Sequence, residues 1–118
     1  MTDRELLELA AKAAGVGGSY FHSDNPIHCG IYQARGEYYW NPLVSDSEAL
    51  RLAVKLAINV QFEATLDESE EGWHPTVHCG TYGLDGPEWS EEPLGIDETA
   101  ATRRAIVRCA AEVGRSMA

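Results

Sequence analysis

Three segments of this chain open on a capping side chain and continue with apolar residues at helical spacing, while the stretches between them are β-prone or turn-forming. That alternation leaves few ways to bury 118 residues. Thr2 and Glu5 form a capping box, Leu6, Leu9, Ala10 and Ala13 follow at helical spacing, and Gly15 with Gly17 and Gly18 supplies the stop. The spacing predicts a first helix over 3–14. Ser45 and Glu48 form a second box. The apolar run Ala49, Leu50, Leu52, Ala53, Val54, Leu56 and Ala57 predicts a largely buried helix over about 46–58. Asp97 caps a third helix over about 98–116. Its apolar face is Ile106, Cys109, Ala110, Val113 and Met117, with Arg103, Arg104, Arg108 and Arg115 largely off that face.

Between the first two helices lie Tyr20, Phe21, Ile27, Ile31, Tyr32, Tyr38, Tyr39 and Trp40, divided by a turn at Ala34-Arg35-Gly36-Glu37 and ended by Asn41-Pro42. Two strands are expected there. Val60 to Thr65 alternates and reads as a third strand, and Thr76 to Tyr82 as a fourth. Leu66 to Gly72 holds four acids and reads as a solvated loop, and 83–96, with three glycines and two prolines, as another. The expected order is α-β-β-α-β-β-α. It forms one α+β domain over 1–118, an antiparallel sheet of about four strands with three helices packed on one face.

The formal net charge is −10, from 19 acids against 9 bases. Phosphate backbones and anionic lipid surfaces call for basic surface, so neither nucleic acid nor membrane is expected as a direct partner. No apolar run reaches the roughly 18–20 residues that span a bilayer. The opening residues lack a basic n-region followed by an apolar core, so no signal peptide is read. Cys29, Cys79 and Cys109 are odd in number, which fits a reduced, cytoplasmic chain.

One pentapeptide pattern repeats. His28-Cys29-Gly30-Ile31-Tyr32 is echoed by His78-Cys79-Gly80-Thr81-Tyr82, 50 residues on. Two thiols and two imidazoles are a zinc donor set, but zinc knuckles place paired ligands two to four residues apart. Neighbouring strand residues point to opposite faces. Gly30 and Gly80 keep a bend open as an alternative. The simpler reading is two paired strands, each with cysteine facing the core and histidine facing out. A Cys–His nucleophile would need an orienting third group, which the spacing does not supply. No phosphate loop, nucleophile elbow or His-Glu-x-x-His pattern occurs. No metal, cofactor or catalytic residue is therefore expected, and Cys109 is assigned to the core.

The charge is concentrated. Residues 61–98 hold eleven of the acids and no lysine or arginine, leaving eight acids against nine bases elsewhere. Acid clusters speed association with positive surfaces, and tryptophans anchor interfaces. The candidate partner-binding residues are Glu63, Asp67, Glu68, Glu70, Glu71, Trp73, Glu88, Trp89, Glu91 and Glu92. The arginines of the last helix are expected to pair with acids of the same chain or of a second copy.

Three stretches, 2–15, 40–56 and 101–117, resemble a group of small uncharacterised proteins of tailed phages and prophages of proteobacteria. The likeness rests on Thr2 to Gly15, on Trp40-Asn41-Pro42-Leu43 with Ala49 to Leu56, and on Ala101 to Met117. It implies an accessory product in the cytoplasm of an infected or lysogenic bacterium and transfers no catalytic residue. The expectation is a non-enzymatic protein that binds a basic host or phage protein, a candidate inhibitor of host defence. The alternatives are a metal protein or enzyme built on the His-Cys pairs, and a self-assembling module.

Overall fold

A computed structural model describes residues 1–67, 72–81 and 87–117, with the backbone alone described for 65–67 and 72–74. Helix α1 spans Asp3–Ala14, α2 Asp46–Leu56 and α3 Glu98–Ser116. Each starts where its cap was read: the side chains of Thr2, Ser45 and Asp97 accept from the backbone N–H of Glu5, Glu48 and Ala100. Helix α1 ends on Gly15 at φ 70°, with Val16 N–H bonded to Ala11 O and Gly15 N–H to Lys12 O. Helix α2 closes in the same way on Ala57 at φ 53°, two residues before the expected end. A non-glycine left-handed cap leaves no glycine to read, which is why the expected helix ran long.

The strands depart from expectation in number and grouping. They are β1 Ser19–Phe21, β2 Gly30–Gln33, β3 Tyr38–Trp40, β4 Asn59–Asp67, β5 Gly72–Gly80 and β6 Trp89–Pro93. They form two three-stranded antiparallel meanders, β1-β2-β3 and β4-β5-β6, in place of one sheet of about four strands. The order becomes α-β-β-β-α-β-β-β-α. Strand β1 is only three residues long and merged with its neighbours in the pattern. Strand β6 lay inside the stretch read as loop. It is an edge strand whose Pro93 sits at its last position, where no ladder donor is needed. Part of the stretch expected as loop, Leu66 to Gly72, belongs to the sheet instead, since the β4–β5 ladder continues to Asp67 opposite Gly72; 68–71 lie outside the described residues.

Helix α3 is the hub. Ala105, Ile106, Val107, Cys109, Ala110, Ala111 and Gly114 are buried along it, against Leu6, Leu7, Ala10 and Ala14 of α1, Leu52 of α2 and Val77 and Cys79 of β5. Small residues let α1 and α3 approach until a Cβ on Gly114 would stand 2.0 Å from Leu9 O. Helix α2 is less buried than its stripe implied. Ala49, Leu52 and Ala53 are covered, whereas Leu50 and Val54 are 64% and 73% exposed. The arginines of α3 bind acids of the same chain. Arg103 reaches Asp46 at 2.6 Å, Arg104 reaches Asp3 at 3.1 Å, Arg108 pairs with Glu92, and Arg115 reaches Glu112 at 3.5 Å. At the mouth of the first sheet, buried Asn41 donates from Nδ2 to Cys29 O at 3.0 Å and from its N–H to Glu48 Oε2 at 2.6 Å. Burial raises the Glu48 carboxyl above its ordinary pKa, partly offset by that bond.

Candidate functional site

The second sheet separates its residues by strand alternation. Val77, Cys79, Ser90 and Glu92 turn toward α3, where Ser90 Oγ donates to Ala105 O at 2.5 Å and Glu92 meets Arg108. Opposite faces of the same strands carry His78, Glu91 and Trp89, with Gln61 and Glu63 joining from β4 through the register Gln61–His78–Glu91. His78 sits at the centre. Its Nδ1 is 3.7 Å from Glu63 Oε1 and 3.9 Å from Glu91 Oε2. Those separations lie beyond hydrogen-bond length. The Trp89 ring leans on the imidazole at 5.8 Å between centroids, yet Trp89 remains 56% exposed. His78 Nε2 is buried with no hydrogen-bond partner among the described residues.

Of the ten residues singled out by charge, Glu63, Trp89 and Glu91 therefore converge on one face. Glu92 is turned to the other face and neutralised by Arg108. Glu88 precedes β6, and its carboxylate accepts from Thr81 Oγ1 at 2.9 Å. Asp67 and Trp73 lie on β4 and β5, where only their backbone is described, and Glu68, Glu70 and Glu71 lie outside the described residues. Sequence reasoning missed His78 as the centre of the acidic face. The signal was the repeat that contains it, weighed there as a metal-donor set and not against the acids of the neighbouring strands.

The two His-Cys pairs do not form neighbouring strands. His28-Cys29 immediately precedes β2, the middle strand of the first meander, whereas His78-Cys79 lies at the end of β5, the middle strand of the second. His28 closes a short 3-10 turn, Pro26–His28, and Cys29 follows it half-buried. Cys79 is fully buried while His78 points the other way, as the simpler reading of that pair required. Burial pushes the Cys79 thiol up to about 12 and the Cys109 thiol up to about 11. Among the described residues, no group of three or more His, Cys, Asp or Glu side chains is arranged to hold a metal ion. No helix of the described residues is long and apolar enough to cross a membrane.

Comparison with known protein families, with curated proteins and with solved structures finds no match to this chain.

Proposed function

We propose that this chain is a phage- or prophage-type accessory protein that binds a basic surface on a host or phage protein, and that it acts by occupancy, without catalysis. The binding face is the solvent side of β4–β6, in the cytoplasm of an infected or lysogenic bacterium, and inhibition of a host antiviral defence protein is the role that fits. One observation carries the reading. Glu63 and Glu91 flank His78, on which the exposed Trp89 leans, and among the described residues neither carboxylate is paired with a lysine or arginine, while four arginines of α3 are taken up by other acids. Unneutralised acids around an exposed aromatic are what a basic partner selects.

The test is capture from bacterial host lysate with the wild-type chain and with a Glu63→Gln, Trp89→Ala, Glu91→Gln variant. The variant is expected to lose the principal partner, and the wild-type association rate with that partner to fall steeply as salt rises. Equal capture by both proteins, or a salt-independent rate, refutes the reading. Self-assembly is a second reading, favoured by Val60 and Phe62, which lie on the α3 side of β4 yet are 36% and 59% exposed. Light scattering on the free protein separates the two, since occupancy of a basic partner predicts a monomer.

A further inference from the structure

The first sheet brings together four side chains that no sequence pattern links. Strands β1 and β2 pair Tyr20 with Ile31 and Phe21 with Gly30, and the same register carried one step on sets His22 opposite Cys29. Cys29 Sγ lies 4.0 Å from His22 Nδ1 and 3.7 Å from Tyr20 Oη. The far nitrogen of the imidazole, Nε2, is 3.9 Å from Asp24 Oδ1. The sulfur opens on a cavity of about 190 Å³ lined also by Ser23, Pro26 and Asn41, and Asn41 holds the Cys29 carbonyl at 3.0 Å.

We propose that Cys29 is a thiol–disulfide exchange site, with His22 as its base, that takes a small disulfide and retains half of it as a mixed disulfide. His22 Nδ1 receives the proton from Sγ, and the thiolate attacks one sulfur of the incoming disulfide. A Cys29 sulfur–sulfur bond forms as the old one breaks, and the departing thiolate takes the proton back from His22. Cys29 is oxidised and the leaving half is reduced, so the disulfide is the oxidant. Tyr20 supports the step. Burial, then its bond to the Cys29 sulfur, raises its hydroxyl above the ordinary value, so Oη keeps a proton to donate. The cavity is smaller than a pocket for a whole drug-sized ligand, so only the reacting end enters. No second thiol resolves the adduct, because Cys79 and Cys109 are fully buried against each other's elements. The charged or titratable groups around the sulfur are Tyr20 and His22 from the first sheet and its exit, Asp24 from the following loop, and Asp3 and Arg4 from α1.

The experiment incubates the reduced full chain with oxidised glutathione and follows intact mass and peptide mass over pH 6–9. One glutathione per chain is expected, on Cys29. His22→Gln, at a side chain 73% exposed, is expected to react roughly tenfold or more slowly at pH 7 and to approach wild type at pH 9, where hydroxide in solution replaces the imidazole as base. Tyr20→Phe is expected to slow the reaction less. Adduct on Cys79 or Cys109 of the folded chain, adduct formation by Cys29→Ser, or a His22→Gln rate equal to wild type across the range overturns the proposal.

Discussion

The two copies of His-Cys-Gly-x-Tyr carry the same chemistry into opposite surroundings. Cys29 enters β2 at the mouth of the first sheet, half-buried, with Tyr20 and His22 against its sulfur. Cys79 leaves β5 directly beneath α3, fully buried, its thiol held protonated far into the alkaline range. Their histidines differ as well: His28 tilts against Tyr39 at 5.9 Å, while His78 is framed by two carboxylates. Identical neighbours in sequence thus fix neither exposure nor reactivity. What sets the fate of each cysteine is whether α3 covers that stretch of strand.

If cover by α3 is the cause, alkali is its most severe test. The folded thiols of Cys79 and Cys109 are raised to about 12 and about 11 from an ordinary 9.0. The folded state therefore keeps protons that the unfolded chain releases near pH 9. The stability these thiols contribute is complete below pH 9 and is lost as pH rises through their folded values. By pH 10.5 the loss is about 2 kcal/mol for each thiol, or about 4 kcal/mol together. Urea unfolding at pH 8 and pH 10.5 under reducing conditions reads it, and a Cys79→Ala, Cys109→Ala variant should fall off less steeply. The same slope in both proteins would sever the link between burial and titration.

Gly114→Ala attacks the cover from its far side. The added Cβ would stand 2.0 Å from the Leu9 carbonyl, so α1 and α3 must separate, at a cost of about 3 kcal/mol. Cys79 and Cys109 should then react with a thiol reagent under native conditions, with the Cys29 rate little changed; protection of all buried thiols in this variant would show that α1 does not hold α3 in place. The smallest effect is the most specific. Cys79→Ser sets a hydroxyl in an apolar site at a cost of about 2 kcal/mol, whereas Cys29→Ser, in polar surroundings, should change stability by less than about 0.5 kcal/mol. Chemical denaturation of the pair measures the difference, and equal costs would erase the contrast between the two copies.

Much of the framework was legible because its signals are local. A cap side chain and an apolar period of 3.6 residues determine α1 and α3 without help from the rest of the chain. The alternation Val60 to Thr65 likewise reports β4, and the excess of acids in 61–98 is a matter of counting, whereas the register of β4–β6 is what sets Glu63, Trp89 and Glu91 on one face. Less legible were features whose stabilisation is non-local. Ser19–Phe21 is a strand only because Gly30–Tyr32 pairs with it, and Trp89–Pro93 only because β5 offers an edge. The stop of α2 at Ala57 uses a left-handed residue that composition does not announce.

By itself, then, the sequence determined three capped helices, an α+β class and a concentration of negative charge, since these follow from short-range periodicity and from counting. Only the tertiary structure decided that the strands divide into two meanders, that Glu92 is spent on Arg108 while Glu63 and Glu91 face solvent, and that His22 meets Cys29. The physical reason is that strand pairing and ion pairing join residues distant in the chain. Which of several similar segments meets which is settled by how the broad apolar face of α3 is covered.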